Sequence, residues 1–453
     1  MSRLAIIGLD CADPILLEEL LPELPTLRRL VSNGSFSRLR SIDPPITVPA
    51  WMCMMTGKDP GELGVYGFEN RTGFGYAGFT IPGSSSFRAE TLWDTLGRHG
   101  RRSVLLGIPG TFPPRPIHGC LVAGFLTPTT RLPYTFPASL ADEIRGWVGA
   151  YDLDVREFRT DDVASTIDQA RTMTRKRFAV ARHLVKREPW DLFAMVEIGP
   201  DRIHHALWAH HHPDHLRHDP ASPFIDALAD YYRLLDAEIG ALLDVLPNSS
   251  RILVVSDHGA QSMAGGIGLN EWLIAHGYLV VQGRPAERTR LQELIEQDRV
   301  DWSRTTAWGS GGYCGRLYLN VAGREPKGIV APGDVSRVLD ELATGIEAIP
   351  DESGAPIGTR VLRPERVYRT VRGIPPDLLV YFGDLQWRSI GTVGWNRIHF
   401  RENDTGPDAA NHALDGIYIS SPADNAPGDR SILEIRDVVL AHLGIEKPQS
   451  TDS

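Results

Sequence analysis

Short apolar runs punctuate the chain, and the first of them, Leu4-Ala5-Ile6-Ile7-Gly8-Leu9, ends at a carboxylate, Asp10. A run of this length between polar residues has the form of a buried strand. Similar runs recur at Ser103–Gly107, Leu192–Glu197, Ile252–Ser256 and Asp377–Tyr381. Between them, from Asp161 to Lys186 and from Pro223 to Leu246, apolar residues fall at the spacing of amphipathic helices. Strands alternating with helices predict an α/β fold, a largely parallel central sheet sandwiched by helices. In such sheets ligands gather beyond the carboxyl ends of the strands. Asp10 and the pair Asp257-His258 both fall at such ends.

The pattern changes after Met263. Gly309-Ser310-Gly311-Gly312 precedes the alternating run Gly315-Arg316-Leu317-Tyr318-Leu319-Asn320, and a turn-rich stretch follows at 323–328. We read 263–401 as an inserted α+β subdomain, a cap that selects substrate, and 1–262 with 402–453 as the catalytic core. The Gly- and Pro-rich stretch from Asn70 to Thr135 reads as a second excursion that covers the pocket. The polar tail from Lys447 to Ser453 predicts no packed structure.

Composition narrows the function classes. With 453 residues, 42% hydrophobic and 23% charged, the chain can bury one large core or two. A formal net charge of −10 argues against binding a nucleic-acid polymer. No apolar run approaches the roughly 18 residues of a membrane span, and the N-terminus lacks the segments of a signal peptide. A cytoplasmic protein without a membrane partner is expected. The four cysteines, Cys11, Cys53, Cys120 and Cys314, show no paired spacing and are expected to be reduced. Nothing in the pattern sets an oligomeric state.

Several residues then stand out by chemical type. Asp201 and His205 are four apart, so a helix would project both from one face, as two ligands to one ion must. His204 offers a competing register, and a solvated helix face would show the same spacing. Asp257-His258-Gly259 is more specific, because Gly259 lets the chain turn at once after two adjacent ligands. Thr47, within Pro44-Pro45-Ile46-Thr47-Val48-Pro49-Ala50-Trp51, reads either as a helix cap or as a nucleophile at a helix N-terminus. His412 has only its position before the strand-like Gly416-Ile417-Tyr418-Ile419. The run His210-His211-His212, with His215 and His218, reads as a surface loop more readily than as a further metal site.

Taken together, six pieces resemble the alkaline phosphatase superfamily, in its branch of type I phosphodiesterases and nucleotide pyrophosphatases. They are Gly8-Leu9-Asp10, Pro45 to Trp51, Thr56-Gly57, Pro200 to Trp208, Ser256-Asp257-His258-Gly259 and His412-Ala413-Leu414-Asp415-Gly416, and their order and spacing agree with that branch. The resemblance implies an alkaline-phosphatase-like core and two divalent metal ions, zinc first, with manganese or iron as alternatives. Asp10, Thr47, Asp257 and His258 would surround one ion, and Asp201, His205 and His412 the other. Thr47 would be the nucleophile of a phosphoester hydrolase acting through a phospho-threonine, on a small-molecule phosphoester such as a nucleotide.

One departure concerns the asparagine that many nucleotide pyrophosphatases place after the nucleophile as a phosphoryl contact. Here Gly67 and Phe68 stand near that place, and Asn70 is the candidate. A phosphomonoesterase is the rival reading; it needs extra positive charge, for which Arg71, Arg202 and Arg316 are candidates. A phosphomutase ranks lower, because that branch uses serine and carries its insert directly after it. A non-catalytic metal-binding protein is disfavoured because the nucleophile and every ligand are present. Trp302, Trp308, Tyr313, Trp387 and Trp395 could stack on a nucleobase but read first as core of the insert.

Overall fold

A computed structural model of the chain describes residues 3–424 and 428–446, and the 447–453 tail lies outside the described residues. Two compact units emerge: Met1–Leu63 with Pro82–Ala260 and His412–Ser453, and Gly64–Ile81 with Gln261–Asn411.

The first unit is built on a nine-stranded sheet. In chain order the strands are β1 (Arg3–Leu9), β2 (Ser35–Arg40), β3 (Ser103–Ile108), β4 (Gly119–Ala123), β5 (Thr135–Phe136), β6 (Leu192–Glu197), β7 (Ser250–Val255), β8 (Asp415–Ser421) and β9 (Arg430–Ser431). They lie side by side as β9-β2-β8-β7-β1-β6-β3-β4-β5. From β7 to β4 the five neighbours run parallel, while β8 runs antiparallel to both β7 and β2. Every residue of β3 and β6 is buried, which is why these strands read as continuous apolar runs. The helices that matter below are α1 (Thr47–Thr56), α2 (Val163–Arg187), α3 (Gly199–His211) and α4 (Ala227–Leu243). Asp162 caps α2 by accepting from the Ser165 N–H, and Lys186 and Arg187 complement its C-terminal dipole.

Sheet register carries the sequence pattern to one edge. In the parallel trio β7-β1-β6, Gly8 pairs with Val255 and Leu9 with Glu197. Asp10, Asp257 and the start of α3 therefore leave the sheet at the same level. Because β8 is antiparallel, its N-terminal end lies at that edge too, and His412 precedes it. The loop after β2, itself antiparallel to β8, leads from the same edge into α1 and Thr47.

Two expectations change. The stretch from Asn70 to Thr135 is not one excursion: its first part packs in the second unit, and its remainder supplies β3, β4 and the start of β5. The run near Asp377 forms Leu378–Tyr381, which belongs to an antiparallel four-stranded sheet of the second unit rather than to the parallel one.

That second sheet is ordered Ala307–Ser310, Gly315–Leu319, Leu378–Tyr381, Arg360–Leu362. Trp302 and Trp308 are buried in its apolar core, with Trp387 packed against it, so these rings are structural. All four cysteines are free and buried. No helix among the described residues is long and apolar enough to cross a membrane.

Candidate metal centre

Two clusters of ligand-type side chains form in the first unit: Asp10, Asp257 and His258, and Asp201, His205 and His412. Within each, the candidate ligand atoms lie within 4.8 Å of one another, and every residue is buried. The clusters adjoin, since the His258 and His412 rings stack at 3.8 Å. Register alone brings Asp10 beside Asp257, and the helical spacing in α3 brings His205 to Asp201, with Nε2 3.4 Å from Oδ1. His204 turns elsewhere; its Nε2 bonds the Tyr232 hydroxyl at 2.9 Å, which settles the register of the helix.

Each carboxylate is held by one oxygen and presents the other. Asp10 Oδ2 accepts from the Trp51 indole N–H at 2.6 Å. Asp257 Oδ1 accepts at 3.2 Å from the N–H of Cys11, a residue in the left-handed backbone region, φ 65°. Asp201 Oδ2 accepts from Arg202. The remaining oxygens, Asp10 Oδ1, Asp201 Oδ1 and Asp257 Oδ2, are buried without a hydrogen-bond partner. Three such carboxylate oxygens in one pocket would be costly without a cation.

The imidazoles are prepared in the same way. His258 Nδ1 faces the Gly259 carbonyl at 3.1 Å and His412 Nδ1 the Pro45 carbonyl at 2.6 Å. A carbonyl only accepts, so Nδ1 carries the proton in both rings and Nε2 keeps its lone pair. Outer hydrogen bonds of this kind orient metal-ligating histidines.

The electrostatics agree. Burial, reinforced by repulsion from Asp257 and Asp201, raises the Asp10 carboxyl well above the usual range. Burial likewise raises Asp257, with Asp201 adding to it. Burial alone would raise Asp201, but the adjacent His205 and Arg202 outweigh it and hold it well below the ordinary value. Burial lowers His258 and His412, which keeps both rings neutral. Adjoining carboxylates that resist ionising together, beside neutral imidazoles, form a donor set suited to divalent cations.

Thr47 opens α1 as its first helical residue; the capping position is Ile46, and no side chain caps the helix. Its hydroxyl therefore does not serve as a cap and lies 3.2 Å from His258 Nε2. All ten residues of α1 are buried, and the helix ends at Gly57 in the left-handed conformation that closes helices. Trp51, one turn after Thr47, reaches Asp10, so a single helix places the hydroxyl and one carboxylate. Gly8 leaves room for that ring, since a Cβ there would stand 2.4 Å from Trp51 Cη2.

Other candidates fall elsewhere. Asn70 is in the second unit, where its Oδ1 accepts from the Tyr66 N–H at 2.6 Å and its Nδ2 donates to the Gly67 carbonyl at 2.8 Å. Arg71 pairs with Glu325, and Arg316 with Glu69. Arg202 bridges Asp154 and Asp201. Among the described residues the histidine run joins no metal-type cluster: His210 bonds Ser222, and His218 faces the Ala209 carbonyl. Sequence reasoning missed Trp51, Asp154 and the Cys11 N–H as supports. Only Trp51 had a legible signal, four residues after Thr47.

Known structures share this architecture. Phosphonoacetate hydrolase from Sinorhizobium meliloti 1021, in complex with phosphonoformate, superposes with a TM-score of 0.62 at 15% identity, covering 97% of this chain and 95% of that one. Human ectonucleotide pyrophosphatase / phosphodiesterase 5 gives 0.56 at 14% identity, covering 100% and 97%. A murine counterpart, an inactive variant in complex with AMP, gives 0.55 at 14%, covering 100% and 98%. No curated protein matches the chain in sequence. The sequence profile of type I phosphodiesterase / nucleotide pyrophosphatase matches residues 4–408. The chain belongs to the type I phosphodiesterase / nucleotide pyrophosphatase family and is a metal-dependent phosphoester hydrolase.

Proposed function

We propose that the enzyme hydrolyses phosphodiesters, nucleotide pyrophosphate bonds among them, with Thr47 as nucleophile and a phospho-threonine intermediate. The observation that carries this is the uncapped Thr47 hydroxyl at the start of a buried helix, 3.2 Å from His258 Nε2 and within the carboxylate and imidazole set. Asp10, Thr47, Asp257 and His258 would hold one divalent cation, and Asp201, His205 and His412 the other. When bound, zinc (or manganese or iron) supplies positive charge that favours the ionised hydroxyl and offsets charge developing on phosphoryl oxygens.

Thr47 Oγ1, its proton passed to solvent, attacks phosphorus as the bond to the leaving oxygen breaks. That oxygen takes a proton from water and departs as the alcohol, and the threonine keeps the phosphoryl group with its remaining ester substituent. Water then cleaves that ester and regenerates the hydroxyl. The N-terminus of α1 leaves first-turn N–H groups without intrahelical acceptors, and such groups suit an anion like the phosphoryl group. Trp51 fixes Asp10.

A diester fits better than a monoester. The doubly charged monoester calls for an extra cationic side chain, and Arg71, Arg202 and Arg316 are each engaged with carboxylates. A small phosphorus-bearing ligand is in keeping with the AMP and phosphonoformate found in two structures of this fold. We assign substrate choice to the inserted segment, because Thr47 and the proposed metal ligands all lie in the first unit. Four free thiols support a reducing, cytoplasmic setting.

The test compares an aryl phosphodiester with its monoester, using zinc-loaded wild type and Thr47→Ala. A diester preference that Thr47→Ala reduces by at least about 100-fold supports the reading. A monoester preference would replace the substrate class. Asn70→Ala, run alongside, tests the proposed phosphoryl contact: a higher KM supports it, and unchanged kinetics removes it.

A further inference from the structure

We propose that Arg202 is a positioning residue that restricts Asp201 to a single coordinating oxygen; this rests on the two-cation reading above. Its guanidinium forms a planar bridge. Nε donates to Asp154 Oδ1 and Nη2 to Asp154 Oδ2, each at 2.8 Å, while Nη1 donates to Asp201 Oδ2. The side chain is 7% exposed. Phe158 and Phe125 lie 4.3 and 5.2 Å from the guanidinium carbon and restrict it further. With Oδ2 taken, Oδ1 faces His205 Nε2 at 3.4 Å and His412 Nε2 at 3.6 Å.

The anchor is itself anchored. Buried Arg177 donates to the Leu153 carbonyl at 3.0 Å, beside Asp154, and pairs with Glu197 at the end of β6. Glu197 accepts in turn from the Gly199 N–H at 2.9 Å, at the start of the helix that carries Asp201. These contacts tie the 152–154 loop to the first turn of the ligand-bearing helix.

Removing Arg202 has two opposed effects on a cation held by Asp201, His205 and His412. Loss of a nearby positive charge would tighten binding, and loss of orientation would weaken it. Orientation is the larger effect, because two carboxylates already balance the Arg202 charge and only a planar fork can make this bridge. Losing such a support costs roughly 10- to 100-fold in metal affinity.

The experiment titrates full-length metal-free protein with zinc against a competing chelator. Wild type is expected to bind two ions. Arg202→Met and Arg202→Lys are both expected to weaken one ion by roughly 10- to 100-fold and leave the other unchanged. The lysine variant keeps the charge but not the fork, so full recovery in it overturns the proposal. Wild-type or tighter binding of both ions in Arg202→Met also overturns it. Should Arg202→Met fail to fold, Asp154→Asn, which keeps shape but weakens the bridge, is read by the same criteria. A wild type that binds fewer than two ions defeats the two-cation reading itself, a result distinct from failure of the variants.

Discussion

Replacing Trp51 by Phe separates packing from metal support at Asp10. The indole is fully buried, and its N–H reaches Asp10 Oδ2 at 2.6 Å. Phe keeps most of the ring volume and removes the donor; the cavity left behind costs roughly 1–2 kcal/mol whether or not metal is bound. The hydrogen bond behaves differently in the two states. Without metal, burial and the neighbouring carboxylates raise Asp10 toward its neutral form, and a neutral hydrogen bond contributes about 1 kcal/mol. With a cation bound the carboxylate is ionised, and the same bond contributes about 1.5–3 kcal/mol. The variant should therefore lose about 0.5–2 kcal/mol more with zinc than without it. By linkage that difference is a loss of about 2- to 30-fold in zinc affinity. Urea denaturation of both proteins, with excess zinc and with EDTA, measures it. An equal penalty in the two conditions, or a larger one in EDTA, would refute the reasoning that Trp51 supports a charged ligand.

Three further outcomes follow from the same geometry. Gly8→Ala would press a methyl group against Trp51 and the Met195 carbonyl, whose oxygen would lie 2.9 Å away; thermal denaturation should show a loss of about 1–3 kcal/mol, and zinc affinity should fall with it. Thr47→Ala should keep wild-type zinc stoichiometry and unfolding within about 1 kcal/mol while losing at least about 100-fold in kcat, measured by single-turnover kinetics. Asp13, whose Oδ1 accepts from the Leu16 N–H, is pushed by burial from 3.8 to about 6. A raised carboxyl stabilises the fold fully below its unfolded value and loses that contribution as pH climbs through 6, about 3 kcal/mol in all. Asp13→Asn keeps the cap without the charge, so EDTA-treated variant should gain stability above pH 6 and lose the slope between pH 4 and 6 seen in wild type.

What was legible in the sequence was what lies within a few residues of its cause. Asp10 and Asp257-His258 announce themselves by ending apolar runs, and parallel register between β1 and β7 then places them together. The helical spacing of Asp201 and His205 was visible, but His204 was an equal rival until Tyr232 took it. Thr47 was illegible from periodicity, because every residue of α1 is buried and the helix has no polar face; the resemblance of its flanking motif singled it out. Arg202 was a candidate for phosphate charge because its partner, Asp154, stands 48 residues away and nothing local marks it. The division of the stretch from Asn70 to Thr135 between two units was hidden for the same reason: short Gly- and Pro-rich segments take their place from tertiary contacts.

The most direct measurement is mass spectrometry of the Thr47 peptide after acid quench, during turnover of an aryl phosphodiester by zinc-loaded enzyme. The expected result is an adduct on Thr47 that keeps the phosphoryl group with the diester's remaining ester substituent, the aryloxide having left, and that forms and decays at the rate of turnover and is absent in Thr47→Ala. Turnover without an adduct, with activity retained in Thr47→Ala, would contradict it.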